Sequence, residues 1–342
     1  MSDQAKETAN RVRMAEVAAA AGVSVPTVSK VVNGRVDVSP VTRRRVQALL
    51  AETGYARSTP RRPKSADLID LVFTEFSEFA GEILRGAEET ARALGVRVAV
   101  TTASSDADRD SWLSTLTHSR TDGVILVLTE LAARHRKRLS ALHVPLVIID
   151  PVGQPDAAVP SIGAANWSGG LAATEYLIGL GHRRIGTITG RPSVLCSQAR
   201  LDGYRAALAR AGIADDPDLV AVGDFHYESA LTAALAMLDL PDPPTAIFAA
   251  SDLQAMGVYE AARIRQRRVP GDLSVVGFDD VPMARWLPPP LTTMRQPLAE
   301  MASLAVRTVR DGDPADFNHR VELSTNLIVR ASTGPPRPRK ES

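Results

Sequence analysis

The 342-residue chain has little or nothing of several features that define common protein classes. Cys196 is its only cysteine, so no intrachain disulfide can form, and a reducing compartment such as the cytoplasm is favoured. The first residues are polar and lack the apolar core of a signal peptide, and no apolar run approaches the length that spans a bilayer. We therefore expect a cytoplasmic protein with no membrane partner.

Patterns that would carry catalysis or hold a cofactor are also missing. The six histidines show no metal-ligand spacing, and we find no nucleophile motif, paired acid and base, or phosphate-binding glycine loop. The sequence therefore predicts no enzyme, no metal and no cofactor. An enzyme built on the body of the chain stays an alternative, but no catalytic set presents itself.

What the chain does contain, in residues 12–55, is the pattern of three short helices. The first helix has a small apolar face and ends at Gly22, and the second begins after Ser24 with Pro26 in its first turn. Ser39–Pro40 starts the third helix. Two helices joined by a glycine turn, the second presenting short side chains and a cation, form a helix-turn-helix. An ordinary helical hairpin is the alternative, but the pattern favours a segment that reads DNA. The positions predicted to face inward are Met14, Val17, Ala18, Ala21, Val28, Val31, Val32, Val46, Leu49 and Leu50.

Charge is distributed unevenly along the chain. Residues 1–66 carry twelve Lys and Arg against five Asp and Glu, a balance of about +7, whereas the whole chain has a net charge of only +1. The remainder is therefore about −6. A basic end on a mildly acidic body places the attraction for DNA phosphates at the predicted helix-turn-helix.

From residue 67 onward, strand-like apolar runs alternate with amphipathic helices. LIDLVF, VRVAVTT, DGVILVL and VPLVIID are the strands of a first series, and AVPSIGA opens a second series that ends in SVVGFDD. Such alternation predicts parallel sheets covered by helices on both faces. Two series predict two doubly wound lobes, with a cleft at the carboxyl ends of their strands.

The run AEVAAAAGVSVPTVSKVVNG, followed by VSPVTRRRV, resembles the DNA-binding headpiece of the LacI/GalR (lactose-repressor) family of bacterial transcription regulators. The resemblance continues to about residue 334. It implies an all-α headpiece, a body with the fold of periplasmic sugar-binding proteins, and a homodimer on a palindromic operator. Val25, Pro26 and Lys30 match the base-reading positions. The DNA-contacting residues of the headpiece are expected to be Ser24, Val25, Pro26, Thr27, Ser29, Lys30, Asn33 and Arg43.

The resemblance and the composition together divide the chain into five segments. They are a disordered start (1–10), a helix-turn-helix domain (11–57), a basic linker (58–66), an effector-binding and dimerisation domain (67–334) and a disordered tail (335–342). Family members usually form a hinge helix in the linker, but Pro63 would interrupt it. We expect Arg61 and Arg62 to lie along the minor groove instead, with a solvated linker as the alternative.

The cleft of the body should be lined by residues that follow strand ends. Carboxylates and a guanidinium can hold neighbouring hydroxyls, and aromatic rings stack on the apolar face of a pyranose. A sugar therefore suits this set of side chains. By similarity to the family, the residues expected to contact the effector are Phe79, Asp150, Arg200, Phe225, Ser251 and Asp279.

Other residues near these positions have structural interpretations. Asp252 and Asp280 are interpreted as caps of the helices that follow them. Cys196 is interpreted as a small packing residue, and Phe76 as either a core residue or a ligand contact. Trp167 and Trp286 are interpreted as packing residues, although Trp286 could border the cleft.

The sequence thus predicts a repressor whose operator affinity is controlled by a mono- or oligosaccharide. A di- or oligosaccharide is favoured over a purine. A regulator of the same fold that responds to a purine or to a protein corepressor is the main alternative. A sugar-binding protein of a transporter would share the body fold, but the helix-turn-helix argues against it.

Overall fold

A computed structural model describes residues 16–32, 39–52, 67–118, 121–128, 131–153, 159–311 and 320–337. The chain divides into two compact units, residues 1–64 and residues 65–342, and the division falls within the predicted linker. Of the DNA-contacting predictions, Asn33, Arg61 and Arg62 lie outside the described residues. Their roles stay predictions.

The first unit contains the predicted helix-turn-helix. Residues 16–21 belong to helix α1, and α2 (Val25–Val32) and α3 (Pro40–Glu52) follow. The turn between α1 and α2 passes through Gly22, whose φ of 66° is a conformation that glycine adopts without a Cβ clash. The buried core confirms the predicted inward face with Val17, Ala18, Ala21, Val28, Val31 and Val46.

Two serines begin helices of this unit in different ways. Ser39 caps α3 with its side chain, because its Oγ accepts a hydrogen bond from the backbone N–H of Thr42 at 3.2 Å. The carbonyl oxygen of Ser24 accepts the first backbone bonds of α2, from Thr27 and Val28. The hydroxyl of Ser24 instead bonds the hydroxyl of Thr27 at 2.9 Å.

The second unit contains two α/β lobes. The first series of elements is β1 (Leu68–Phe73), α4 (Glu78–Ala93), β2 (Arg97–Thr102), α5 (Asp106–His118), β3 (Gly123–Val127), α6 (Ala133–Ala141), β4 (Leu146–Ile149) and β5 (Ser161–Ala164). The second series is α7 (Asn166–Gly179), β6 (Ile185–Thr189), α8 (Leu195–Arg210), β7 (Val220–Val222), α9 (Tyr227–Leu238), β8 (Ala246–Ala249), α10 (Asp252–Ile264), β9 (Ser274–Asp279) and β10 (Thr292–Arg295). Three elements complete the fold, namely α11 (Leu298–Asp311), β11 (Arg320–Leu323) and β12 (Asn326–Ile328).

Each lobe is built on a six-stranded sheet. The first sheet has the order β11-β5-β4-β3-β1-β2 and is parallel throughout. The second has the order β12-β10-β9-β8-β6-β7, in which only β12 is antiparallel to its neighbour. The prediction that AVPSIGA opens the second series is wrong, because β5 pairs with β4 and β11 in the first sheet. The helix α11 and the strands β10 to β12 were not predicted from the sequence.

Both faces of each sheet are covered by helices. In the first lobe, Ile125 packs in a cluster with residues of α4 and α11, while its neighbour Leu126 packs with residues of α5 and α6. In the second lobe, Ile247 packs toward α9 and α10, and Phe248 toward α7 and α8. The side chains of adjacent strand residues thus pack into cores on opposite faces of the sheet, as expected of a doubly wound sheet. No helix of the described part of the chain is long and apolar enough to cross a bilayer.

The chain passes between the lobes three times. It crosses after β5 at residue 165, after β10 at residues 296–297, and after β11 at residues 324–325. The described chain also continues past the predicted end of the body at residue 334. Arg337 forms an ion pair with Asp272, with its Nη1 2.7 Å from Oδ1, so residues 335–337 do not belong to a disordered tail.

Candidate functional sites

The outer face of α2 carries the residues expected to read DNA. Val25 has 40% of its surface exposed, and Pro26 and Lys30 are also exposed. Thr27 and Arg43 are half-buried, Thr27 beside the Ser24 hydroxyl. Of Ser29, only the backbone, in α2, is described. A helix with an exposed apolar side chain, a proline and a lysine can enter a major groove and contact both a thymine methyl and a guanine.

The body contains a cleft at the carboxyl ends of its strands. All six residues predicted to contact an effector line it: Phe79, Asp150, Arg200, Phe225, Ser251 and Asp279. The cleft contains about 650 Å³ of space between atoms, counting the part that opens to solvent, which suits a ligand of drug size. The structure brings the predicted set together, while its role in binding stays a prediction.

Arg200 is the most constrained of these side chains. Its Nε donates to Oδ1 of Asn166 at 2.8 Å, and its Nη1 donates to the carbonyl oxygen of Ala250. The guanidinium carbon lies 3.7 Å from the centroid of the Phe278 ring and 5.8 Å from that of Phe225. Stacking and hydrogen bonds hold the guanidinium plane in one orientation before any ligand arrives.

Two glycines bring the helix of Arg200 close to α7. A Cβ at Gly170 would lie 2.2 Å from the carbonyl oxygen of Arg200, and a Cβ at Gly203 would lie 2.2 Å from that of Trp167. Only glycine permits these backbones to approach so closely. Because Asn166 is the first residue of α7, the same packing places its amide oxygen against the guanidinium.

Two buried carboxylates, Asp150 and Asp279, feel the charge of this arginine. Burial raises the pKa of Asp150 to about 6, against the opposing charge of Arg200 and a backbone hydrogen bond from Ala164. Burial likewise raises the pKa of Asp279 to about 6, although Arg200 and a hydrogen bond from Gln296 lower it. Oδ1 of Asp279 lies 3.9 Å from Nη1 of Arg200. Desolvated carboxylates of this kind gain hydrogen bonds when a ligand supplies hydroxyl donors.

The turn that follows β9 is held in an unusual backbone conformation. Asp279 and Asp280 have φ values of 116° and 59°, a region that residues with a Cβ rarely occupy. Asp280 is fixed by Arg295 at 2.7 Å and by Arg330. Asp252 accepts a hydrogen bond from the backbone N–H of Val281 at 2.9 Å and another from the hydroxyl of Thr293. These bonds hold the backbone next to Asp279, which lines the cleft.

The interpretation of Asp252 and Asp280 as helix caps is therefore wrong. The cap of α10 is Ser251, whose Oγ accepts from the backbone N–H of Gln254 at 3.1 Å. Asp252 is fully buried one residue further on, and its pKa is raised well above the usual value, chiefly by desolvation. Asp280 forms ion pairs with Arg295 and Arg330. The short 3-10 helix that follows its turn has no side-chain cap.

Several other interpretations also change. Cys196 is buried, as expected of a packing residue, but it lines the cleft, and burial raises the pKa of its thiol to about 12. Phe76 is neither core nor cleft lining: it is exposed and meets the edge of Phe73. Trp286 and Trp167 are exposed rather than packed, and Met283 borders the cleft in place of Trp286.

Sequence reasoning did not identify five polar residues of the cleft, namely Glu75, Ser77, Glu78, His226 and Gln296. Gln296 donates to Asp279 with an Nε2–Oδ1 distance of 2.6 Å, but it follows β10, a strand that the periodicity did not identify. Glu75 and His226 lie after β1 and β7, and Nε2 of His226 is 3.3 Å from Oε2 of Glu75. The strand-end rule that singled out Asp150 could have found both.

The cleft contains groups that are suited to holding a ligand. Its polar groups are hydrogen-bond donors and acceptors with aromatic rings beside them, and its one thiol is protonated at neutral pH. Within the described ranges, no group of three or more His, Cys, Asp or Glu side chains could hold a metal ion. The arrangement suits a neutral ligand rich in hydroxyl groups.

Comparison with known proteins extends this picture to both units. The model of bacterial regulatory proteins of the lacI family matches residues 13–58, and that of the periplasmic binding protein-like domain matches residues 174–333. The HTH-type transcriptional regulator CelR of Thermobifida fusca is 35% identical over 338 residues, covering 95% of this chain and 99% of CelR. The ribose operon repressor of Haemophilus influenzae is 34% identical, covering 93% of this chain and 98% of the repressor.

A solved structure of a CelR–cellobiose complex has a TM-score of 0.72 and 36% identity to this chain, and covers 93% of this chain and 99% of that one. A helix-turn-helix ahead of a two-lobed body places the protein among the DNA-binding transcriptional regulators. With more than 30% identity over nearly its whole length to such regulators, the chain belongs to the lacI family of bacterial regulatory proteins.

Proposed function

We propose that the protein is a cytoplasmic repressor that binds a palindromic operator as a homodimer and releases it when a small saccharide binds in the cleft. The observation that carries this proposal is a buried arginine in one cleft with two buried carboxylates, Asp150 and Asp279, and two aromatic rings, Phe79 and Phe225. Such a set offers both donors and acceptors to a polyol, as well as apolar faces for a sugar ring.

The relatives support a saccharide as the effector. CelR has been solved with cellobiose, and another relative is a repressor of a ribose operon. In this chain, Asp150, Arg200 and Asp279 are nearly fully buried. A ligand that reached them would replace its hydrogen bonds to water with hydrogen bonds to these side chains. The effector acts by binding two conformations of the protein unequally, since a ligand with equal affinity for both shifts nothing.

Regulation without catalysis fits the same chemistry. The fixed guanidinium and the hydrogen-bonded carboxylates are suited to hold a ligand, and the protonated thiol of Cys196 is a poor nucleophile. We therefore assign the cleft to effector binding and propose that the protein is not an enzyme. Purified protein incubated with a disaccharide should return it unchanged, as measured by chromatography.

The proposal is tested by operator release. Operator DNA is first selected from a random pool with the full-length protein, and binding is then followed by fluorescence anisotropy. Cellobiose, maltose, lactose, xylobiose, their monosaccharides and the purines guanine and hypoxanthine are added in turn. We expect a saccharide to release the DNA. Release or tightening by a purine, with no effect of any saccharide, would show that the effector has been misassigned.

A further inference from the structure

The cleft has two parts that differ in exposure. Asp150, Arg200 and Asp279 form the inner part and are at most 8% exposed. Glu75 and His226 line the mouth, where their side chains are 52% and 33% exposed. We call these two residues the mouth pair. A ligand that fills the inner part and extends outward must therefore pass them.

The mouth pair joins the two lobes. Glu75 follows β1 of the first lobe, and His226 precedes α9 of the second, so the 3.3 Å contact between Oε2 and Nε2 crosses the cleft. A polar contact as exposed as this one contributes little to stability, so it does little to hold the lobes together. The contact between the carboxylate and the imidazole can therefore be replaced by contacts with ligand hydroxyls at a small cost in free energy.

The backbone on both sides of the mouth is fixed. The backbone N–H of His226 donates to Oδ1 of Asp224 at 3.0 Å, and Asp224 also accepts from the hydroxyl of Ser229. On the other lobe, Ser77 caps α4 by accepting from the backbone N–H of Ala80. The two polar side chains thus extend from a fixed backbone. This preorganisation lowers the entropy that is lost when a ligand binds to them.

Aromatic rings connect the inner part to the mouth. Phe225 is adjacent to His226 in the chain, lines the cleft and lies within 5.8 Å of Arg200. Phe79 lines the cleft from the first turn of α4. A second sugar ring that leaves the inner part therefore meets apolar faces at its sides and polar groups at its outer edge.

We propose that the mouth pair forms an outer subsite that recognises the second sugar unit of a disaccharide effector. The inference rests on the proposed function, since it requires a saccharide in the inner part. Hydroxyl groups of the second unit replace the contact between Glu75 and His226, with the carboxylate accepting and the imidazole bonding on the opposite side. A monosaccharide fills only the inner part and leaves the mouth pair intact.

Calorimetry on the full-length protein tests the subsite. Each of cellobiose, maltose, lactose and xylobiose is compared with its monosaccharides glucose, galactose and xylose. We expect the best disaccharide to bind at least about tenfold more tightly than its monosaccharides, because the outer unit adds charged hydrogen bonds. A monosaccharide that binds as tightly as every disaccharide would overturn the subsite but leave the saccharide effector standing.

Variants locate the added affinity. Glu75→Gln and His226→Ala should each lower the affinity for the best disaccharide by about tenfold and change that for its monosaccharide less than twofold. Glu82→Gln, on the same lobe and in a surface ion pair with Arg85, serves as the control. Equal losses for both ligands, or no loss for either, would refute the outer subsite. If no sugar gives heat with the unmodified protein and a purine does, the proposed function fails and the subsite fails with it.

Discussion

At the scale of single residues, burial determines the chemistry of the cleft. Asp150 and Asp279 are removed from water, yet each keeps Arg200 and a hydrogen-bond donor nearby. Their pKa values near 6 leave them mostly ionised at neutral pH, at a cost to the stability of the folded state. This cost to the stability of the folded state can be measured.

The first prediction concerns Asp150 and pH. Its folded pKa of about 6 lies above the usual 3.8, so the folded state binds more protons than the unfolded state between about pH 4 and 6. Stability contributed by protonated Asp150 is therefore full at low pH and is lost as pH rises through 6, by at most about 3 kcal/mol. We expect Asp150→Asn to flatten the fall in melting temperature between pH 5 and pH 7, as measured by calorimetry. Asp202→Asn, at an exposed position of α8, should leave the fall unchanged. An equal flattening in both variants would exclude Asp150 as its source.

The second prediction concerns Lys30 and base readout. Lys30 is exposed on α2, so its loss should weaken binding to the selected operator by about 1–3 kcal/mol and binding to random DNA much less. Arg44→Ala provides the comparison, because an exposed arginine of α3 is expected to contact phosphates and to weaken both complexes alike. Anisotropy titration at fixed salt measures both. Equal losses for Lys30→Ala on the two DNAs would assign this side chain to the phosphate backbone.

At the scale of elements, sequence periodicity predicted most of the body and failed where strands are short or polar. The strand Thr292–Arg295 has four residues and little apolar alternation, so nothing in it distinguished a strand from a loop. The strand Ser161–Ala164 was recognised but placed in the wrong lobe, because adjacency in the chain says nothing about where a crossover occurs. The missed strand β10 also concealed Gln296, which follows it.

The third prediction concerns the packing of α7 on α8. Gly170→Ala would place a Cβ 2.2 Å from the backbone oxygen of Arg200, so the helices must separate, at a cost of about 1–3 kcal/mol. Gly179→Ala is the matched control, because it lies in the same helix with no atom within 4 Å of its new Cβ. Denaturant unfolding should show a lower free energy of unfolding for Gly170→Ala and an undiminished one for Gly179→Ala. Equal stability of the two variants would refute the close contact as a constraint.

At the scale of the whole molecule, some of the residues predicted to contact an effector lie beside the crossovers between the lobes. Gln296, which holds Asp279, is itself the first residue of the second crossover. Asp280, beside Asp279, holds Arg295 immediately before that crossover and Arg330 just after β12. A ligand that contacts Asp279 therefore acts on the segment through which the two lobes are joined. The family resemblance singled out six residues that the structure brings together in one cleft. The connection to the crossover depends on distant partners and emerges only in the folded chain.

The last prediction separates effector binding from DNA binding. Arg200→Ala and Asp150→Ala should each remove a charged partner of a buried ligand, which costs about 2–5 kcal/mol and is enough to turn micromolar binding into millimolar binding. Neither residue belongs to the helix-turn-helix unit, so the affinity for the operator in the absence of effector should stay within about twofold of the unmodified protein. When the effector is titrated into the complex of either variant with operator DNA, the fluorescence anisotropy should stay high, because the DNA is no longer released. Exposed Arg205→Ala, on the same helix as Arg200, should release DNA normally. A variant at Arg200 or Asp150 that still releases the operator at the usual effector concentration would show that the ligand binds elsewhere.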